Sequence, residues 1–466
     1  MNLIYKSTIW TIIKSVSMVS GVFIILLITN YYGSGDYGNF VLFFNGTLIF
    51  TLLTDMGLSG TSGALVKRIS SRDCNDGYIS TVLLLRFGVL FIIAIGLFSG
   101  REFVADLFGL KWSLLYLIPA LTGNVILETL LSVLRGEGKI AKSGLSMFVR
   151  DTFRYAYWVA AVGVGADSIH LLYGYIASLF LGSGFALRWI STEWFLPSKE
   201  AAYNLISYGK FSWIHNIRGG TYSYMDTLVL GLFVTPSVVG IYQVAWSISR
   251  IFIMFSSAIG RSQFDELSSL ETDHEIRKSI NDSLSYTSIF IIPGLVGAAI
   301  FGEYILSFYG PRFTAGFIPL LMLIVARLFQ SYESVLSNVL LALGFTRRAA
   351  IFGTIFVVIN ISVNLVLGYL WGPIGVAAAT MGSVAIVSLL SWDYLRGTHR
   401  LKFPIKKTTY QFVSATVMGL VLLIYNQLFQ NNALGILFGV IVYLGLVVLI
   451  DSDLKSSVID AIAYVR

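Results

Sequence analysis

Residues 207–261 read SYGKFSWIHNIRGGTYSYMDTLVLGLFVTPSVVGIYQVAWSISRIFIMFSSAIGR. This stretch is apolar enough to enter a lipid bilayer, yet Arg218, Asp226 and Arg250 lie where hydrocarbon should surround it. A charge that faces lipid near the bilayer centre costs at least about 2.5–3.5 kcal/mol, so such residues normally face a bundle interior or a water-filled cavity. The stretch therefore predicts two membrane helices that contribute to the working site.

The whole chain has the composition of a membrane protein with many spans. Of 466 residues, 56% are hydrophobic and only 12% are charged, which is too apolar for a soluble protein. Apolar runs of about 20 residues, the length that crosses a bilayer, recur along the chain and predict an all-α polytopic membrane protein with about 14 transmembrane helices. They lie at residues 9–31, 40–58, 78–99, 112–134, 145–164, 169–190, 206–233, 238–260, 284–308, 316–343, 349–370, 374–395, 409–429 and 433–450.

Basic residues are distributed unequally between the loops on the two sides of the predicted membrane. One set of loops carries 19 Lys and Arg residues, whereas the other carries only Arg101, Lys111 and Arg312. Because basic loops stay in the cytoplasm and the number of spans is even, both termini are expected to be cytoplasmic, in the cell membrane. The net charge of +7 is therefore attributed to topology and not to nucleic-acid binding.

Two pairs of segments indicate an internal repeat. The outer turn at residues 32–40, YGSGDYGNF, is similar to FVTPSVVGIY at residues 233–242, and Glu128 in the fourth span matches Glu333 in the tenth. The offsets of about 202 and 205 residues nearly agree. They predict two parallel six-helix repeats, lobes 1–200 and 201–400, around a central cavity. Residues 401–466 then add two further helices, which either form a lipid-facing groove or extend the bundle.

A series of short motifs carries a family resemblance along nearly the whole chain. The motifs are GDYG at 35–38, TDMGL at 54–58, YMDTLVLG at 224–231, VGIYQVA at 239–245, FYGPRF at 308–313, ALG at 342–344, NISVNL at 360–365 and GVAAAT at 375–380. With them the chain resembles the multidrug/oligosaccharidyl-lipid/polysaccharide exporter superfamily, in its polysaccharide-biosynthesis (Wzx-type O-antigen) flippase branch. One departure is the span count, since many such flippases have twelve spans.

The resemblance implies a substrate and a direction of transport. The expected substrate is an oligosaccharide linked to undecaprenyl or dolichyl pyrophosphate, moved from the cytoplasmic to the outer leaflet by alternating access, with membrane lipids and glycan-assembly proteins as partners. Two rival functions are compatible with a membrane protein of this size. A cation-coupled multidrug exporter of the same fold is disfavoured because an arginine-lined cavity repels cations. A glycan polymerase or ligase is disfavoured because the longest outer loop is only about residues 100–111.

Arginines inside the predicted spans are the candidate substrate-binding residues. Helix geometry of 1.5 Å per residue places Arg218, Arg250 and Arg327 near mid-membrane. Nearer the cytoplasmic mouth it places Arg86, Arg150, Arg154 and Lys14. Arg suits a diphosphate because its planar donor fork stays charged and binds two oxygens at once. The alternatives are snorkelling to an interface, or structural ion pairs with Asp151, Asp226, Glu128 or Glu333.

Acidic residues inside the spans are candidates for ion coupling. Glu128 and Glu333 occupy equivalent repeat positions and are candidates for coupling transport to H⁺ or Na⁺, with helix pairing as the alternative. Asp226, near the outer end of its span, is a further candidate for coupling or an ion pair, with a structural role as the favoured interpretation. The single Cys74 rules out an internal disulfide, and no metal-ligand spacing is present. The chain has no phosphate-binding loop of the G-x-x-x-x-G-K-[ST] type, so neither direct ATP use nor a cofactor is expected.

Overall fold

The computed structural model describes residues 3–55, 57–58, 77–108, 113–191, 195–267, 272–399, 401–429 and 431–451. These residues are almost entirely helical and contain no β-strand. The helices are α1 (Leu3–Asp55), α2 (Tyr78–Ser99), α3 (Arg101–Phe108), α4 (Ser113–Gly136), α5 (Ile140–Gly163), α6 (Ile169–Leu187), α7 (Lys199–Gly220), a π-helical segment (Thr221–Met225), α8 (Asp226–Gly231), α9 (Pro236–Leu267), α10 (Asp273–Thr287), α11 (Ile291–Ser307), a 3₁₀ segment (Pro311–Gly316), α12 (Phe317–Ala342), α13 (Thr346–His399), α14 (Ile405–Phe429) and α15 (Asn432–Ile450).

The helices match the predicted membrane spans. Within the described ranges, nine helical stretches are long and apolar enough to cross a membrane. Two of the nine, in α1 and α13, each contain two predicted spans. Three more charged stretches coincide with the remaining spans: α5, α7 through α8, and α9. The prediction of an all-helical membrane protein with about 14 spans is confirmed.

Two of the helices fold back at a glycine with a positive φ. Gly33 in α1 has φ 77°, and Gly372 in α13 has φ 55° and is followed by Pro373. A side chain would strain both positions. The arms of α13 are antiparallel, because the Phe352 ring lies 6.3 Å from that of Tyr394 at the other end of the helix. Each glycine therefore forms the tight turn between two spans.

The chain divides into two compact units, Met1–Gln243 and Val244–Arg466. The boundary falls inside α9. The lobe limits expected from the repeat, 1–200 and 201–400, remain a prediction.

The two repeat turns contact each other inside the first unit. A Cβ built on Gly38 would overlap the carbonyl oxygen of Pro236, and a Cβ built on Gly240 would overlap that of Ser34. Adding 202 to 38 and 34 gives 240 and 236, so under the predicted repeat one contact corresponds to the other. The Oγ atoms of Ser34 and Ser237 also lie 2.6 Å apart. This reciprocal contact is the pattern that a twofold-related pair of turns would make.

The last two helices pack into the core of the second unit. Met418 and Leu422 of α14 and Tyr443 and Val447 of α15 form one buried cluster with Phe301 of α11. Gln411 of α14 accepts a hydrogen bond from Ser288 Oγ at 2.7 Å and donates one to the Ser285 carbonyl at 2.6 Å. The two helices are thus an integral part of this unit.

The predicted span at 284–308 differs from the structure in one respect. Helix α10 begins at Asp273 and ends at Thr287, and α11 begins only at Ile291. Thr272 caps α10, since its side chain accepts a hydrogen bond from the Glu275 amide. The apolar run predicted the position of this membrane span. It could not show that the helix begins earlier, at residue 273, where Thr272 caps it.

Candidate substrate-binding site

Trp246 is the centre of a cationic cluster in the second unit. The Arg250 guanidinium carbon lies 4.7 Å from the Trp246 ring centroid, and the Arg327 guanidinium carbon lies 5.2 Å from it. Trp246 and Arg250 are one turn apart on α9, and Arg327 comes from α12. A cation over an indole ring gains about 0.5–2 kcal/mol without losing its charge. The two arginines are therefore held in place while they remain cationic.

Arg327 is buried and Arg250 is exposed. Arg327 has 3% of its surface accessible; it donates through Nε to Ser249 Oγ at 3.2 Å and through a terminal nitrogen to Gln330 Oε1 at 2.6 Å. Arg250 lies 14 residues after the start of α9, about 21 Å along the helix. An exposed cation at that depth is stable next to water or an anion but not next to lipid.

Three arginines of the first unit have carboxylate partners. Arg86, with 1% of its surface accessible, lies 3.4 Å from Asp55 and donates to Thr129 Oγ1 at 3.0 Å. Arg150 and Arg154 share Asp151, at 2.9 Å and 3.0 Å. Glu128 interacts electrostatically with both Arg86 and Arg150.

This network in the first unit joins three arginines to three carboxylates. Its members are Arg86, Arg150, Arg154, Asp55, Glu128 and Asp151. The formal charges cancel, which is the condition for keeping ionised groups inside a protein. The ion-pair alternative from the sequence therefore has a geometric basis for Arg86 and Arg154, although their role in substrate binding stays a prediction.

Aromatic rings surround Arg154 as well. Its guanidinium carbon lies 5.1 Å from the Tyr155 ring, 5.3 Å from the Trp158 ring and 6.0 Å from the Phe44 ring. The Phe44 contact joins α5 to the second arm of α1. Arg154 therefore also has a packing role.

The remaining predicted residues occupy different environments. Asp226 is buried and accepts a hydrogen bond from the Tyr242 hydroxyl at 3.0 Å. Glu333 is buried on α12, and Glu128 is half-buried on α4. Lys14 lies in α1, but its side chain falls outside the described residues.

Arg218 lies next to an irregular stretch of its helix. It is half-buried in the last turn of α7, directly before the π-helical segment Thr221–Met225. A π-helical turn weakens the regular hydrogen-bond ladder and is frequent at functional sites. Tyr222 and Tyr224 lie within this segment.

Sequence reasoning missed three features of these sites. Asp55 was not selected, although it belongs to the TDMGL motif, because only the fold brings it to Arg86. Trp246 was not predicted as a site residue, since its contact with Arg327 joins positions 81 residues apart. The spacing of apolar residues does not predict the π-helical segment.

A large apolar cavity lies beside the last two helices in the second unit. It encloses about 270 Å³. Its lining includes Phe252, Phe301, Leu320, Met418, Leu422 and Tyr443. The Tyr443 side chain is the polar exception, since its buried hydroxyl has no hydrogen-bond partner among the described residues. The volume and lining suit an aliphatic chain.

Comparison with known proteins identifies relatives along most of the chain. A family model described as "Polysaccharide biosynthesis protein" matches residues 33–315. The chain is 31% identical to the "Probable flippase AglR" of Haloferax volcanii, covering 86% of this chain and 85% of the relative. It is 29% identical to the "Probable low-salt glycan biosynthesis flippase Agl15" of the same organism, covering 88% of each protein.

Solved structures share the fold at low sequence identity. The lipid II flippase MurJ in an inward closed conformation superposes with a TM-score of 0.79 at 20% identity, covering 96% of this chain and 99% of MurJ. An inward-facing multidrug resistance MATE family transporter of the MOP superfamily superposes with a TM-score of 0.67 at 15% identity, covering 82% of this chain and 94% of the transporter.

Proposed function

The chain belongs to the polysaccharide biosynthesis protein family, and from this premise we propose that it is a flippase for a lipid-linked oligosaccharide. It moves a glycan attached to a polyprenyl pyrophosphate from the cytoplasmic to the outer leaflet of the cell membrane. It is a transporter and not an enzyme. Both termini are cytoplasmic in this proposal, and the partners are membrane lipids and glycan-assembly proteins.

The similarity to the two Haloferax volcanii flippases carries this proposal. It extends over 86% and 88% of the chain. The names of both relatives contain the word flippase, and one contains glycan biosynthesis. The MATE likeness, at 15% identity, concerns the fold and gives no reason to prefer a multidrug exporter.

The cationic cluster around Trp246 supports a diphosphate as the group that is recognised. The substrate must carry a charged head group across about 30 Å of hydrocarbon while its polyprenyl tail stays in lipid. Arg250 and Arg327 provide two planar donor groups that stay charged. Each can bind two phosphate oxygens at once. Arg218, Arg86, Arg154 and Lys14 are further candidates in the first unit.

The apolar cavity beside α14 and α15 is the proposed binding site for part of the polyprenyl tail. Its aliphatic and aromatic lining matches a polyprenyl chain, and about 270 Å³ accommodates a short segment of it. This assignment favours the groove interpretation of the last two helices over a bundle extension.

Alternating access supplies the proposed mechanism. The repeat turns that meet at Gly38 and Gly240 lie on the outer side in the predicted topology, so they must separate when the site opens outward. Glu128, Glu333 and Asp226 are the candidates for linking this movement to H⁺ or Na⁺. Carboxylates within membrane helices suit that task because binding of H⁺ or Na⁺ neutralises their charge.

Deletion of the gene followed by lipid extraction tests the proposal in cells. A complete pyrophosphate-linked oligosaccharide should accumulate on the cytoplasmic leaflet. Plasmid-borne wild type and the outer-loop control Arg101→Gln should clear it, whereas Arg250→Gln/Arg327→Gln should not. Full-length glycan on the outer leaflet of the deletion strain, in a host without a second flippase, would contradict the proposal.

A further inference from the structure

Five exposed cations form one surface at the two ends of α13 and the start of α14. They are Arg347, Arg348, Arg396, Lys402 and Lys406, and we call them the basic surface. Residues 345–407 contain seven Lys and Arg residues and a single acidic residue, Asp393. The segment is thus strongly positive at the ends of its helices.

Aromatic contacts bring the parts of this surface together. Tyr394, near the end of α13, stacks with the Arg348 guanidinium at 5.0 Å and with the Phe345 ring at 5.5 Å. Phe403, just before α14, packs on Trp392 at 5.6 Å. Both ends of α13 and the segment that leads into α14 are therefore fixed side by side.

Rings and not carboxylates hold two of these cations. The Arg348 guanidinium lies over Tyr394, and Lys406 Nζ lies 5.8 Å from the Tyr410 ring. Within the described part of the chain, none of the five cations forms a salt bridge. Lys407 differs, because its Nζ lies 3.1 Å from Asp282. A ring orients a cation without neutralising it, so the basic surface keeps its charge available for an anion.

The position of the surface indicates which anion it meets. Trp392, Tyr394 and Tyr410 lie at the ends of two membrane helices, where such rings mark the level of the lipid head groups. Basic clusters next to membrane helices are attracted to anionic leaflets. We propose that the basic surface binds the phosphate groups of anionic phospholipids in the adjacent leaflet.

The unequal distribution of basic residues between the loops does not by itself require a cluster of exposed cations without salt bridges. Orientation of the chain depends on how many basic residues each loop carries, and it is satisfied equally by cations that are paired with acidic groups. Lys139 is such a case, since its Nζ lies 2.6 Å from Glu137 and donates to the Trp189 carbonyl at 2.9 Å. The basic surface is distinguished by cations that are clustered, exposed and unneutralised.

Native mass spectrometry of the purified full chain tests the proposal. Wild type should retain phosphatidylglycerol in preference to phosphatidylcholine. The variant Arg347→Gln/Arg348→Gln/Lys402→Gln/Lys406→Gln should lose at least about tenfold in phosphatidylglycerol affinity, since each cation near a leaflet contributes measurably to its attraction. The charge-preserving variant Arg347→Lys/Arg348→Lys should bind as wild type does.

The matched control removes two cations that have carboxylate partners. It is Lys139→Gln/Lys407→Gln, whose side chains pair with Glu137 and Asp282, and it should retain phosphatidylglycerol. Equal loss in this control, or wild-type binding by the quadruple variant, overturns the proposal. If the quadruple variant does not fold, the pairs Arg347→Gln/Arg348→Gln and Lys402→Gln/Lys406→Gln take its place, each with a loss of at least about threefold. The assay contains no glycan, so its outcome is independent of the flippase proposal.

Discussion

Gly38 and Gly240 lie in direct backbone contact, and the contact is reciprocal. A Cβ on Gly38 would lie 3.1 Å from the Gly240 amide nitrogen, and a Cβ on Gly240 would lie 3.1 Å from the Gly38 amide nitrogen. Only glycine allows two backbones to approach so closely. The two residues occupy equivalent positions in the predicted repeat, so the contact relates one repeat to the other.

Alanine at either glycine should force the two turns apart. Gly38→Ala and Gly240→Ala should each lower the free energy of unfolding by about 1–3 kcal/mol, because the new methyl group overlaps a backbone carbonyl that cannot move alone. Gly35→Ala is the matched control, since a Cβ there meets nothing within 4 Å. Thermal unfolding in detergent measures the effect. Equal stability of Gly38→Ala and Gly35→Ala would contradict the close approach.

A cross-link between the same turns should stop transport. In a Cys74→Ser background, Ser34→Cys/Ser237→Cys places two thiols where the hydroxyl oxygens now lie 2.6 Å apart. Oxidation should abolish flipping in reconstituted vesicles, and a reductant should restore it, because the turns must separate for outward opening. Each single cysteine variant should be insensitive to oxidation. Undiminished flipping by the fully cross-linked protein would show that these turns stay together.

Removal of the Asp55 charge should destabilise the first unit. Asp55→Asn leaves Arg86 buried without its nearest carboxylate, which costs about 3–5 kcal/mol for a buried pair. Asp55→Asn/Arg86→Met should recover most of that loss because no uncompensated charge remains. Unfolding of the three proteins in detergent gives the comparison. If Asp55→Asn were as stable as wild type, the Asp55–Arg86 pair would not contribute to stability.

The Tyr443 hydroxyl should be dispensable for stability. Tyr443→Phe removes a buried hydroxyl without a hydrogen-bond partner among the described residues, so stability should be unchanged or higher by about 1 kcal/mol. The control is Tyr175→Phe, whose hydroxyl accepts a hydrogen bond from Asn124 at 2.7 Å; it should lose about 1–2 kcal/mol. The opposite order of melting temperatures would show that Tyr443 has a polar partner in the apolar cavity.

The sequence predicted the helices well because runs of apolar residues mark the segments that lipid surrounds. Even the spans that contain Arg150, Arg218 and Arg250 were found, since a few charges do not hide a run of about 20 apolar residues. The breaks at Gly33 and Gly372 were also predictable, as each coincides with a gap between two runs.

The arrangement of charges could not be predicted in the same way. Arg86 and Arg327 both lie inside apolar runs. Arg86 forms a salt bridge with Asp55, whereas Arg327 contacts the Trp246 ring, the Ser249 hydroxyl and the Gln330 side-chain amide. Apart from the side-chain amide of Gln330 on the same helix, these partners come from other helices, and helix packing determines which of them lie near each arginine. Whether each arginine binds substrate is still a prediction, because depth in the membrane does not specify the partner.

Translocation by the purified protein tests the central claim most directly. A fluorescent polyprenyl pyrophosphate-linked oligosaccharide is placed in vesicles with the full chain, and a membrane-impermeant quencher reports on the exposed leaflet. Wild type should exchange the lipid between leaflets, Arg250→Gln/Arg327→Gln should reduce the rate at least about tenfold, and Arg101→Gln should match wild type. Equal rates in vesicles with and without the wild-type protein would contradict the account.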